Sequence, residues 1–148
     1  MQTQCRLTDV VFLSLLFCIG GAITGYAQAV HEQHVVIDHA APGSNPMQAQ
    51  NIVFRIPSNG NYQAVIFPER PRVAIKGIDV PIDVAIGFMT RDRSGTWRPQ
   101  QWQHGTGNTF VDLKAMRAGT DVRIWYSSSI GGLPSPRIGG KVRIIRIQ

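Results

Sequence analysis

The sequence predicts an all-β chain folded as an antiparallel β-sandwich, in jelly-roll or immunoglobulin-like order, with a small β-barrel as the alternative. Three observations carry this. Apolar residues recur at every second position through most of the chain beyond Asn51, clusters of Gly, Pro, Asn, Asp and Ser interrupt that alternation about every 8 to 12 residues, and no amphipathic stretch exceeds one helical turn. With 148 residues the chain makes one domain at most. Its 43% hydrophobic and 16% charged content excludes both a disordered chain and a coiled coil.

The first 29 residues read as a cleaved signal peptide. Val10 to Ile23 carry no charge, the run is shorter than the roughly 20 apolar residues that span a bilayer, and Ala27-Gln28-Ala29 supplies the small-x-small pattern of a cleavage site. A bulky Phe17 before Cys18 argues against lipidation, and Gly20, Gly21, Thr24, Gly25 and Gln28 dilute the run as a retained anchor. Cys5 and Cys18 are the two cysteines, so the chain from Val30 onward has none, which removes disulfides, thiolate metal sites and cysteine nucleophiles from it. The expected location is periplasmic or secreted. Cleavage removes Arg6 and Asp9 together and leaves the net charge at +6. The basic residues are mostly Arg, which reads as a solvated surface before it reads as an anion site.

Residues 30–50 form an N-terminal extension with one strand expected near Val35, Val36 and Ile37, and 51–148 form the sandwich. Ile52, Phe54 and Ile56 alternate with Asn51, Val53 and Arg55, residues 57–61 turn, and 62–67 resume as a strand. A single strand is expected over 73–78. Ile82, Val84, Ile86 and Phe88 then share one face and Ala85, Gly87 and Met89 the other, the mark of a central strand covered on both sides. Residues 92–95 make a hairpin loop with Gly95 placed for positive φ. The returning strand, 96–103, holds Pro99 and is therefore an edge or is interrupted there. After a turn at 104–108, residues 109–113 form a strand and 114–118 one helical turn ended by Gly119. Val122, Ile124 and Tyr126 point to the core opposite Arg123, Trp125 and Ser127. Residues 127–140 read as a long loop, and the last strand, 141–148, either carries a β-bulge near Ile144 and Ile145 or is buried on both sides.

Tryptophan gives the leading candidate site. Trp125, with Arg123 and Ser127 on its face, is placed to stack on a sugar ring while Arg123 supplies hydrogen bonds. Trp97 and Trp102 flank a strand that also holds Arg98, Gln100, Gln101 and Gln103, and aromatics among amides suit carbohydrate. Five positions apart on a regular strand, those two indoles face opposite ways, so one is expected in the core.

The rival constellations are weaker. His31, His34 and His39, near Glu32 and Asp38, have metal-ligand chemistry, but His31 and His34 diverge on a strand, so no metal is assigned. Asp79 and Asp83 would stand about 13 Å apart on a straight strand, beyond glycosidase geometry, and read as carboxylates meeting arginines. There is no G-x-S-x-G, and Gly131-Gly132 and Gly139-Gly140 lack the helix a phosphate loop requires, so no cofactor is expected. The expected function is an exported, non-catalytic binding or structural module, recognising carbohydrate or another envelope polymer through an exposed Trp with Arg and Gln neighbours. The first alternative is a protein-interaction or self-assembly module using strand 96–103 or the C-terminal strand as a free edge. The second is a small hydrolase with His104, Asp92 and Asp112. No nucleic-acid partner is expected, and no membrane span after cleavage.

Overall fold

The computed structural model describes residues 27–39 and 49–147; the expected apolar leader segment lies outside them. Eleven strands follow in chain order: β1 (Gln28–Ile37), β2 (Gln50–Arg55), β3 (Gly60–Pro68), β4 (Arg72–Ile75), β5 (Ile78–Pro81), β6 (Asp83–Arg91), β7 (Trp97–Thr106), β8 (Thr109–Met116), β9 (Asp121–Ile130), β10 (Leu133–Pro134) and β11 (Ile138–Ile147). No helix occurs among the described residues. One sheet has the order β1-β11-β3-β8; the other runs β10-β9-β6-β7, with β2 also on β9.

The pairing is nested. The first long strand pairs with the last (β1 with β11), the second with the next to last (β2 with β9), and then β3 with β8 and β6 with β7, all antiparallel. Such a chain is a long double ribbon rolled up so that β11 meets β3 and β9 meets β6. This is the jelly-roll order; the immunoglobulin-like order is not adopted, and the sheets pack face to face without closing into a barrel.

The alternation of residues explains the core. Val35, Ile37, Tyr62, Ala64, Ile66, Val111, Leu113, Val142 and Ile144 come from one sheet and meet Ile52, Val84, Ile86, Phe88, Val122, Ile124 and Tyr126 from the other. Ile37, Tyr62, Ile86, Ile124 and Ile144 are among the side chains most completely removed from water. The first strand is longer than the 35–37 segment expected, and its Val35 and Ile37 belong to this same core.

Four local expectations are corrected. The strand expected over 73–78 is a hairpin, β4 and β5, because Lys76 and Gly77 both take positive φ (50° and 80°) and close a two-residue turn that twists with its strands. The helical turn expected at 114–118 is instead the end of β8: Lys114 sits at φ 59°, its N–H donates to the Asp112 carboxylate at 2.8 Å, and the register against β3 slips by one residue there. The long loop expected over 127–140 is largely strand, since β9 continues to Ile130 and folds back through Gly131 and Gly132, both at positive φ, into β10. Ser128 faces inward and shares a 2.6 Å hydrogen bond with Ser135. The irregularity at Ile144 and Ile145 lies in β1, where Val30 is the extra residue between Ala29 and His31; β11 itself does not bulge, its register against β3 is unbroken, Ile144 is inside, and Ile145 and Ile147 are half-buried on the other face. The strand is also internal, between β1 and β3, so it offers no free edge.

Candidate functional site

The two outer faces differ in chemistry. On the β1-β11-β3-β8 sheet Glu32 engages both Arg143 and Lys141, and Arg143 lies 5.2 Å from the Phe67 ring centroid. The outer face of the other sheet gathers all three tryptophans. Cross-strand partners share a face, and the register of β9, β6 and β7 places Ser129, Asp83 and Thr106 on one rung, Ser127, Ala85 and His104 on the next, then Trp125, Gly87 and Trp102.

Trp97 and Trp102 therefore face the same way, contrary to the spacing argument. The reason is a bulge: Gly87 pairs with Trp102 and Met89 with Pro99, so three steps along β7 match two along β6. The extra residue near Gln100 and Gln101 changes the phase by one, and Pro99, which has no N–H to contribute to a ladder, stands at the irregularity. β7 is an edge strand, as Pro99 predicts.

Each indole has a different role in the surface. Trp97 is engaged by two guanidinium groups, Arg91 at 4.8 Å and Arg123 at 4.5 Å from its centroid. Met89, on the same face beside Arg123, is fully buried although it stands outside the core between the sheets. Trp125 lies across Gly87, where an added methyl group would overlap its ring, so glycine at that position permits the close approach. Trp102 is 56% exposed, with its centroid 6.3 Å from that of Trp125 and 5.7 Å from that of His104.

Beside Trp102 runs a shallow groove of about 370 Å³. Asp83 and Ala85 of β6, Trp102 and His104 of β7, Ser127 and Ser129 of β9, and the Gly131-Gly132 turn line it. Hydroxyls, an imidazole, a carboxylate and an indole thus share one concavity. This set can stack on a flat apolar face and hydrogen-bond a polar rim. Among the described residues no hydrogen bond joins His104 to Ser127, Ser129 or Asp83.

Arg98 and Gln100 are not part of this surface. Arg98 pairs with Thr90, which itself pairs with the buried Val122, so its side chain belongs to the other phase. Its guanidinium donates to the Asp92 carboxylate at 2.8 Å, and the Gln100 amide donates to the Thr90 hydroxyl at 3.1 Å. Asp92 organises the β6–β7 loop, accepting from the Ser94 hydroxyl at 2.6 Å and from the Ser94 and Thr96 N–H groups. The Ser94 hydroxyl foremost, then Arg98 and the Thr96 amide, hold this carboxyl far below the usual carboxylate range.

The other candidates are dispersed. His104, Asp92 and Asp112 do not converge: His104 is opposite Ala85, Asp92 is beyond the far end of β6, and Asp112 is on β8 in the other sheet. His31 packs on Phe54 at 5.2 Å, His39 Nδ1 lies 3.1 Å from the Ser128 carbonyl oxygen, and no metal-ligating cluster occurs among the described residues. Asp79 pairs with Arg72 inside the β4–β5 hairpin, whereas Asp83 meets no arginine and lies in the groove. His104, Asp83 and Ser129 are site residues that sequence spacing alone did not bring together. Alternation signalled their faces, but their grouping needs the strand order.

No family model matches this chain, and no curated protein does. Among solved structures, a crystal structure of a protein from Sulfurospirillum deleyianum aligns over 78% of this chain and 98% of its own, at 9% identity and a TM-score of 0.36, a likeness too distant to bear on function.

Proposed function

We propose that this protein is an exported, non-catalytic binding module that takes a carbohydrate, or another envelope polymer built from such rings, on the outer face of β9, β6 and β7. The observation that carries the reading is the exposed indole of Trp102 standing over a groove of Ser127, Ser129, His104 and Asp83. A sugar ring presents a C–H face and a rim of hydroxyls. An indole covers the first, and hydroxyl, imidazole and carboxylate groups bond the second. The platform stands on paired strands and is supported from the side by Trp125, so little side-chain freedom is lost on binding. Trp97, held by Arg91 and Arg123, supports the face.

Export rests on the uncharged run from Val10 to Ile23 and on Ala27-Gln28-Ala29, and it places the module in the periplasm or outside the cell. Cutting after Ala29 removes only the pairs Gln28 with Arg146 and Ala29 with Ile145 from the end of β1. The test is retention on a panel of insoluble and immobilised polysaccharides. Wild type is retained on at least one, and Trp102→Ala loses roughly tenfold or more in affinity for it while keeping its circular dichroism spectrum. A Trp102→Ala protein retained like wild type overturns the reading. A second reading, self-association through the β7 edge, is supported by the position of that strand at the sheet's margin. It predicts a mass that rises with concentration in sedimentation.

A further inference from the structure

We infer that the groove selects a cationic ligand, so that its glycan is one carrying free amines, an amino sugar left unacetylated. The inference rests on the glycan reading above and adds to it the charge of the ligand. It starts from the disposition of carboxylates in a basic chain with 15 Lys and Arg against 9 Asp and Glu. Glu32, Asp38, Asp79, Asp92 and Asp121 each hold an arginine. Among the described carboxylates Glu69, Asp112 and Asp83 hold none; of these three only Asp83 lines the groove, and its side chain makes no hydrogen bond among the described residues. It is half-buried and lines the groove, where it is the one side chain with a full negative charge.

A carboxylate partly withdrawn from water favours a cation more strongly than one on an open surface, because less solvent screens the pair. The wall of the groove adds a second attraction. The exposed face of Trp102 carries the negative side of an aromatic quadrupole, which draws an ammonium group as well as a C–H face. Asp83 is four residues along β6 from Gly87, the partner of Trp102, so carboxylate and indole are separated by about 13 Å of strand. They meet different rings of one oligomer: one ring stacked on Trp102, the amine of a ring further along at Asp83, with the Ser127 hydroxyl on the rung between and the Ser129 hydroxyl beside Asp83.

The experiment titrates the full exported chain with two soluble ligands of equal length, oligomers of N-acetylglucosamine and their de-N-acetylated counterparts, at mildly acidic pH and low salt. The expected result is that the amine form binds on the order of tenfold more tightly, and that added salt narrows this ratio. Asp83→Asn, which keeps the shape of the side chain, brings the ratio toward one, and Trp102→Ala weakens whichever oligomer binds. Equal affinities for the two oligomers, or a ratio that survives Asp83→Asn, overturn the selection for amines while the glycan reading stands. Binding of neither oligomer also overturns it, and the polysaccharide panel then decides the glycan reading separately.

Discussion

Replacing Gly87 with alanine probes the packing that holds the aromatic face in place. The backbone there is ordinary central strand, so the substitution carries no conformational penalty of its own, and in isolation it would stabilise by about 0.4 to 1 kcal/mol by reducing the freedom of the unfolded chain. In this protein the new methyl group meets the Trp125 ring, at its Cε2, Cζ2 and Nε1 atoms. The indole must move off the sheet, and overpacking of this sort costs typically 1 to 3 kcal/mol. Gly87→Ala is therefore expected to destabilise by about 1 to 2 kcal/mol, read as a lower urea midpoint with unchanged slope. In a Trp125→Ala background the obstruction is gone and the same change should become neutral or stabilising. The cycle of four proteins then gives a coupling of about 1.5 to 3 kcal/mol, well above the few tenths seen for independent sites. Displacing Trp125 also withdraws the lateral support of Trp102, so polysaccharide retention should weaken in the single variant. A Gly87→Ala cost that persists unchanged when Trp125 is absent refutes the claim that the indole lies on this glycine.

Three further outcomes are expected. Ser128→Ala leaves the enclosed Ser135 hydroxyl without its 2.6 Å partner and should cost about 1 to 3 kcal/mol in urea denaturation, with less than the sum lost when both serines become alanine. The Asp92 carboxyl is depressed below its ordinary value of 3.8, so its contribution is complete above that pH and disappears as pH falls further through the folded-state value; thermal melts of wild type should decline more steeply below about pH 4 than those of Asp92→Asn. Lys114→Gly relieves a left-handed backbone at φ 59° in the β8 bulge and should raise stability by about 0.5 to 1 kcal/mol, seen as a higher midpoint, whereas Lys114→Ala should not.

The faces of the strands were legible in the residues themselves. Val122, Ile124 and Tyr126 against Arg123, Trp125 and Ser127, and Val84, Ile86 and Phe88 against Ala85 and Gly87, each announce which side meets the core, because a pleated backbone sends successive side chains to opposite sides whatever its neighbours are. The sandwich follows from that alternation repeated through short strands, and the polar company of Trp125 puts that indole on an outer face, but it lies partly covered across Gly87 and the exposed indole is Trp102. The two turns through Lys76-Gly77 and Gly131-Gly132 were less visible, since a lysine at positive φ gives no compositional signal and a serine run resembles a loop until Ser128 finds Ser135 inside.

Register and adjacency were decided only by the assembled sheets. The phase of Trp97 relative to Trp102 depends on one extra residue in β7, and whether a strand bulges is set by the partner it must match, here β6. Likewise Asp83, His104, Ser127 and Ser129 come from three strands up to 46 positions apart and share a groove because the nested pairing rolls β9 and β7 onto the two sides of β6. Local sterics determine where a side chain points; long-range hydrogen bonding determines what it stands beside, and a binding surface is made of the second.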